Sequence, residues 1–145
     1  MNVKWLSRWE IFALGSAFFA GLTALLGKMG TVQINSNVAT FIRTGVVLVM
    51  TAFILSLRNE WQRPETIQVK TVTFLVLSGI ATGLSWLCYY RALQLGPISK
   101  VAALDKLSVA FAIVLGIIFL GEDFSWQVAL GGLLMILGAI VMVFL

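Results

Sequence analysis

Long apolar runs separated by short polar stretches make up almost the whole chain. Each run is close to the length of about 20 residues that a helix needs to cross a bilayer. The five runs are residues 9–26, 38–57, 69–93, 98–120 and 125–145. They are continuously apolar rather than alternating, which favours helices over the short strands of a membrane barrel. The pattern therefore predicts an all-α, polytopic membrane protein with five transmembrane helices.

Composition agrees with this interpretation and limits the domain organisation. Apolar residues make up 60% of the 145 positions and charged residues only 11%, against about 25% charged residues in soluble domains. The five runs leave no length for a separate soluble domain. We therefore expect a single transmembrane domain over residues 1–145, in which any chemistry takes place within or between helices.

Several functional classes are excluded by the residues that the chain lacks. Histidine is absent and Cys88 is the only cysteine, so we expect no disulfide framework and no metal site. No nucleophile–base set is present, so we expect no enzyme and no cofactor. The net charge of +4 does not indicate nucleic-acid binding, because the basic residues lie at the borders of the apolar runs, where they meet the lipid bilayer.

The charges that flank the runs give only a weak signal for orientation. The side of the N-terminus carries five basic residues: Lys4, Arg8, Arg58, Arg63 and Lys70. The opposite side carries three, Lys28, Arg91 and Lys100, or five if the more deeply placed Arg43 and Lys106 are counted. Either loop contacts decide the orientation, or the protein inserts both ways. The second alternative is what an antiparallel homodimer requires.

Three charged residues lie well inside apolar runs, away from the ends of those runs: Arg43, Asp105 and Lys106. Charge in a bilayer core is costly, so it is normally paired or turned toward a cavity. Asp105 is the natural partner for Arg43 or Lys106, and such a pair could simply fix the register of the helices. Alternatively, two cations facing one carboxylate leave a positive excess that a substrate anion completes, and Asp105 could also exchange a proton.

Aromatic residues approach the same level of the membrane from the third run, where Trp86 and Tyr89 are followed by Tyr90. They could line a cavity and stack on a planar or cationic substrate, or they could form an interfacial aromatic belt. We select Trp86 and Tyr89 as cavity-lining residues. Lys28 is expected to extend its side chain to the interface.

The last run carries Gly131 and Gly138, which are seven residues apart and so lie on one helix face. Small residues allow helix backbones to approach closely in lipid. Because this run is also free of charge, we expect Gly131 and Gly138 to form a dimer contact. Glu122 and Asp123 precede this helix as mainly structural residues, with Asp123 a candidate for its N-cap.

Several short motifs occur in a recognisable order. They are NSNVATFIRT at 35–44, RALQLGPIS at 91–99, DKLS at 105–108, FLGE at 119–122 and the glycine-rich last run. Together they resemble the EamA family of the drug/metabolite transporter superfamily, in particular its short members with a single repeat. The resemblance covers almost the entire chain.

This resemblance implies a secondary transporter or exporter of a small metabolite or drug-like molecule. Full-length members contain two inverted five-helix repeats, so a chain with one repeat would work as a dimer or with a paralogous partner. The spacing of Gly131 and Gly138 is similar to that in the dimerising helix of small multidrug-resistance exporters. Those exporters couple to protons through a glutamate in the first helix. Here only Glu10 is available, at the edge of the run, so the chain departs from simple proton-for-drug antiport.

We therefore expect an antiparallel homodimer in the plasma or inner membrane, with a cavity lined by the first four spans of each copy. Arg43 and Lys106 would orient a small-molecule substrate, Asp105 would balance them, and Trp86 and Tyr89 would line the cavity. Two alternatives remain: a non-transporting membrane subunit of a heteromeric complex, and a flippase for a lipid-linked substrate.

Overall fold

The computed structural model describes residues 8–144, without the side chains of Arg8 and Pro64. Lys4, which contributes to the orientation argument, lies outside this range. The described residues form helices and no strands. In chain order the elements are α1 (Arg8–Gly30), α2 (Ser36–Arg58), a 3₁₀ turn (Pro64–Thr66), α3 (Val69–Leu95), α4 (Ile98–Asp105), α5 (Ser108–Leu115), a π-helical turn (Gly116–Leu120) and α6 (Trp126–Phe144).

Five segments of the described chain are long and apolar enough to cross a membrane. They are Trp9–Gly30, Ser36–Arg58, Val69–Leu95, Ile98–Leu120 and Trp126–Phe144. Large apolar side chains along them point outward; Phe12 and Phe41, for example, are 78% and 79% exposed. Such surfaces are stable only when lipid or another protein covers them. The prediction of an all-α protein with five transmembrane helices is confirmed.

The ends of α2 show how the sequence sets helix boundaries. Asn35 has an extended backbone, and its side-chain oxygen accepts a hydrogen bond from the Asn37 N–H at 2.8 Å, as expected for an N-cap. At the other end Asn59 adopts φ 53°, a left-handed conformation that asparagine tolerates. Within the helix, the Thr40 and Thr44 hydroxyls donate to backbone carbonyls one turn earlier. These bonds satisfy polar groups that lipid cannot solvate.

The fourth span is interrupted after Asp105, although the sequence pattern reads as one continuous apolar run. The Leu107 N–H donates to the Leu104 carbonyl at 3.0 Å, and the Val109 N–H donates to the Lys106 carbonyl at 3.1 Å. These bonds span three residues instead of four and are typical of a tight 3₁₀ turn. The average hydropathy of a run carries no information on hydrogen-bond register, so the sequence does not reveal the interruption.

The same span ends in the π-helical turn Gly116–Leu120. Gly121 follows, and its N–H donates to the Gly116 carbonyl. Its φ of 67° favours glycine, because glycine adopts this left-handed conformation without strain. Gly116 is buried, and a Cβ placed on it would lie 2.8 Å from Oε2 of Glu122. The Glu122 carboxylate thus lies directly over Gly116, which agrees with the structural role expected for Glu122.

The helices divide into two compact units. The first comprises Gly27–Gln94, and the second comprises the rest of the described chain. In the first unit, the fully buried Leu93 and the nearly buried Tyr90 of α3 form the core together with Thr31. This unit therefore has its core near the end of α3.

In the second unit, α4 and α5 pack against α6. A Cβ on the buried Gly132 would lie 3.1 Å from the Ile113 side chain, so the absence of a side chain is what permits the α5–α6 contact. Lys100 of α4 donates a 2.7 Å hydrogen bond to the Val143 carbonyl near the end of α6. Asp123 is not the N-cap of α6, since the helix begins at Trp126, directly after Ser125.

Candidate functional site

Arg43 lies about two turns inside α2 and is half-buried. Its guanidinium carbon is 3.9 Å from the centroid of the Trp86 ring and 5.5 Å from that of the Tyr90 ring. Trp86 and Tyr90 are four residues apart on α3 and therefore share a helix face. A cation over an aromatic ring is stabilised by about 0.5–2 kcal/mol, most when it is shielded from water. The α3 face thus holds the Arg43 charge within a membrane-spanning segment.

Tyr90, rather than Tyr89, is the second aromatic residue next to Arg43. Tyr89 is half-buried and contacts the edge of Tyr90, with the ring centroids 6.2 Å apart. The sequence-based selection of Trp86 and Tyr89 therefore left out Tyr90. The four-residue spacing between Trp86 and Tyr90 was a signal that could have identified it, because neighbouring residues such as Tyr89 and Tyr90 point in different directions on a helix.

A glycine in α1 fixes the position of Tyr90. A Cβ on Gly27 would lie 3.3 Å from both the Cε1 atom and the hydroxyl oxygen of Tyr90. This is a close approach, and Tyr90 is only 5% exposed. The Tyr90 ring thus has the backbone of α1 and the Arg43 guanidinium as neighbours.

A polar latch joins the end of α1 and its following loop to the end of α3. Lys28 donates a hydrogen bond to the Leu93 carbonyl, and Gln94 donates to the carbonyls of Thr31 at 3.0 Å and Ile34 at 2.7 Å. The last carbonyls of a helix lack hydrogen-bond partners within the helix. The Lys28 ammonium supplies a donor for one of them, the carbonyl of Leu93. The expectation that Lys28 extends its side chain to the interface stays a prediction, and this contact is compatible with it because Leu93 lies near the end of α3.

Arg91 extends the same latch, since it donates a hydrogen bond to the Gln94 side-chain oxygen at 3.1 Å. Beside it lies an open cleft of about 490 Å³. The cleft is lined by Asn35, Ser36, Asn37, Leu87, Cys88 and Arg91. Lys28 and Arg91 therefore each donate a hydrogen bond to a protein acceptor. The third cation in this part of the unit, Arg43, contacts aromatic rings instead.

Asp105 and Lys106, in the second unit, lie at the interruption of the fourth span. Their side chains form an ion pair with an Nζ–Oδ2 distance of 3.5 Å and are 40% and 54% exposed, respectively. Of the two partners expected for Asp105, the structure thus shows Lys106. Arg43 belongs to the other unit and has its own aromatic partners.

The two pairs of small residues in α6 have different surroundings. Gly131 and Gly138 are exposed, and a Cβ added to either would meet no atom within 4 Å, whereas Gly132 and Ala139 are buried. The face expected to form the dimer contact is therefore not used for packing within its own unit. In the described part of the chain, no group of three or more potential metal ligands occurs.

Comparison with known proteins establishes the family. Residues 7–144 match the EamA-like transporter family. The chain belongs to this family. It is also similar to an uncharacterized transporter in the cobO 3'region of Sinorhizobium sp, with 47% identity over 134 residues, which cover 92% of this chain and 95% of the relative. No solved structure matches the chain.

The family resemblance seen in the motifs is thereby confirmed over nearly the full length. Together with the five apolar helices, it establishes a multi-pass membrane protein and a transporter of some kind. The roles of Arg43, Asp105, Lys106, Trp86 and Tyr89, and of Gly131 and Gly138, stay predictions, as does the single-domain organisation.

Proposed function

We propose that this EamA-family protein is a secondary transporter that moves a small polar or amphipathic metabolite by alternating access. The observation that carries the proposal is the Arg43 guanidinium, which lies half-buried inside a spanning helix and is stacked on Trp86. Charge inside a membrane helix is costly and marks substrate or ion pathways. The plasma or inner membrane is the proposed location.

The working unit that we propose is an antiparallel homodimer. Transporters commonly pair inverted repeats around a site near the bilayer midplane, and this chain corresponds to one repeat of five spans. The exposed Gly131 and Gly138 face of α6 supports a close contact between copies, because small residues allow helices to approach in lipid.

The interrupted fourth span supports the proposal of a moving element. Discontinuous membrane helices are typical of transporter sites, and 3₁₀ stretches within helices mark hinges. Here the interruption coincides with the Asp105–Lys106 ion pair. In the proposed cycle the Asp105–Lys106 pair rearranges when this segment moves.

Transport by the purified protein alone tests this proposal. Proteoliposomes would be loaded with a defined mixture of small organic anions, zwitterions and cations, and the efflux of each would be followed by mass spectrometry. We expect protein-dependent efflux of a subset, its loss in Asp105→Asn, and an unchanged dimer in that variant. Asp123→Asn, in the connection before α6, serves as the matched control and should transport normally.

Two results would contradict the proposal. Normal efflux from Asp105→Asn would remove Asp105 from the mechanism. Efflux that appears only when a second membrane protein is co-purified would instead indicate a subunit of a heteromeric complex.

A further inference from the structure

The guanidinium of Arg43 lies close to two aromatic rings, but no protein group of its own unit accepts its hydrogen bonds. A guanidinium carries five N–H donors, all in its plane, and its central carbon lies 3.9 Å from the Trp86 centroid and 5.5 Å from the Tyr90 centroid. Within residues 27–94, the described side chains and backbone give Arg43 no hydrogen bond or ion pair. A planar fork of donors, held by its aromatic neighbours, is therefore preorganised for an acceptor with two oxygens.

No carboxylate of its own unit is placed to neutralise Arg43. The only acidic residues between 27 and 94 are Glu60 and Glu65, both in the connection between α2 and α3. Glu60 pairs with Arg58 at 3.7 Å. Seventeen residues separate it from Arg43, which corresponds to about 25 Å along a helix.

The other cations of this unit are engaged or lie elsewhere. Lys28 donates to the Leu93 carbonyl and Arg91 to Gln94. Arg63 and Lys70 lie in the α2–α3 connection and the first turn of α3. Arg43 is thus the cation that lies well inside a membrane span of this unit and has no hydrogen bond or ion pair within the unit.

We propose that Arg43 binds an oxyanion of the transported substrate, a carboxylate or a phosphate, through the edge of its guanidinium. The substrate is accordingly an organic anion or a zwitterion with an exposed acid group. Trp86 and Tyr90 act as positioning residues, because they lie next to the guanidinium of Arg43 and act on the oxyanion only through it. This inference rests on the proposed transport function and names its substrate class.

The position of Arg43 over Trp86 also argues against a substrate with a cationic group at this place. Arg43 occupies a face of Trp86 at 3.9 Å, so that face is not available to a substrate cation. A second positive charge beside the guanidinium would be repelled in a low-dielectric site. The aromatic residues of α3 therefore favour an anion indirectly, by holding a cation of the protein.

Trp86 fluorescence offers a direct binding assay. In a variant with Trp5, Trp9, Trp61 and Trp126 replaced by phenylalanine, Trp86 is the single reporter. The purified, delipidated protein in maltoside micelles would be titrated with four probes of similar size: benzoate, phenyl phosphate, benzamide and benzylamine. We expect a saturable change in Trp86 emission with benzoate and phenyl phosphate, and none with benzamide or benzylamine at tenfold higher concentration.

Substitutions in the same background assign the effect to Arg43. Arg43→Lys keeps the charge but loses the planar fork, and we expect benzoate binding to weaken about tenfold or more. Arg43→Gln should abolish it. Lys70→Gln removes one positive charge from the same unit away from the site and should bind benzoate as the parent does. Circular dichroism of each variant checks that the helices are retained, and the probe comparison on the parent protein needs no Arg43 variant.

Several results would overturn the assignment. They are equal responses to benzoate and benzamide, no response to any probe, and unchanged binding in Arg43→Lys. A response to added phosphatidylglycerol without one to the soluble anions would assign the Arg43 edge to a lipid headgroup and also overturn it. Transport is a separate readout: anion binding without efflux of any compound contradicts the proposed function alone, whereas Arg43-dependent efflux of cations contradicts the anion site alone.

Discussion

The second and fourth spans both carry charge inside an apolar segment, but the backbone around the charge differs. In α2 the helix runs unbroken from Ser36 to Arg58, and Arg43 is stabilised by aromatic rings of α3. In the fourth span the helix stops at Asp105, and the charge is balanced by its sequence neighbour Lys106. One segment holds its charge on an unbroken helix, and the other holds it at a 3₁₀ turn.

This difference suggests a division of labour. A preorganised group on a regular helix is suited to recognising a ligand, since its geometry is fixed before binding. A charge pair at a break in a helix is suited to conformational change, because few hydrogen bonds must rearrange when the segment bends. Arg43 is accordingly the recognition element in our proposal, and the Asp105–Lys106 pair is the moving element.

The largest expected effect distinguishes a moving pair from a merely structural one. Lys106→Gln leaves the Asp105 carboxylate without its partner, so we expect lower thermal stability and loss of transport. The double variant Asp105→Asn with Lys106→Gln removes both charges, and breaking half of such a pair usually costs more than replacing all of it. We expect the double variant to regain the melting temperature but not the efflux in proteoliposomes. Recovery of both the melting temperature and the efflux would show that the Asp105–Lys106 pair only fixes the register of the helices.

The packing of the fourth span against α6 gives the next comparison. Gly132→Leu would force a side chain into the space of Ile113, and overpacking of this kind costs about 1–3 kcal/mol. Gly138→Leu is the matched control, because nothing lies within 4 Å of its added Cβ. We expect Gly132→Leu to lower the melting temperature and Gly138→Leu to preserve it while separating the dimer, as measured by native mass spectrometry. A stable dimer of Gly138→Leu would exclude this face as the contact.

On the α2 side, removing the aromatic face should weaken transport without stopping it. Trp86→Ala deprives Arg43 of its closest ring, a loss of about 1–2 kcal/mol that corresponds to roughly a tenfold decrease in efflux. Trp126→Ala removes an exposed tryptophan at the start of α6 and should leave efflux unchanged. Equal effects of the two substitutions would show that Trp86 serves only as part of an interfacial belt.

The sequence was sufficient for the architecture and only partly for the site. Continuous apolar runs of the correct length predict the five spans, because the bilayer imposes both their length and their composition. The motifs from Asn35 to Glu122 were enough to indicate the family that the comparison confirms. Neither the runs nor the motifs specify how helices face one another.

What the sequence missed depends on contacts between segments and on hydrogen-bond register. The stacking of Arg43 on Trp86 and the close approach of Gly27 to Tyr90 join residues more than 40 positions apart, so no local pattern encodes them. Lys28 looks like any lysine at the end of a membrane helix until its acceptor, the Leu93 carbonyl, is known. Likewise, the break after Asp105 leaves the average hydropathy of its run unchanged.

The smallest expected effect tests whether the close contact between Gly27 and Tyr90 holds the surroundings of Arg43 in place. Gly27→Ala would place a methyl group 3.3 Å from the Tyr90 ring, which cannot retreat easily because it is buried and its helix is held by the Lys28 hydrogen bond to Leu93. Gly45→Ala in α2 meets nothing within 4 Å, so it gains the helix preference of alanine, about 1 kcal/mol, without a clash. We expect Gly27→Ala to melt at a lower temperature than Gly45→Ala in the same detergent, and to shift the emission of Trp86 because Tyr90 and Arg43 move with it. If the two variants melt together and Trp86 emission is unchanged, Tyr90 adjusts freely, and the contact with Gly27 does not hold the Arg43 site in place.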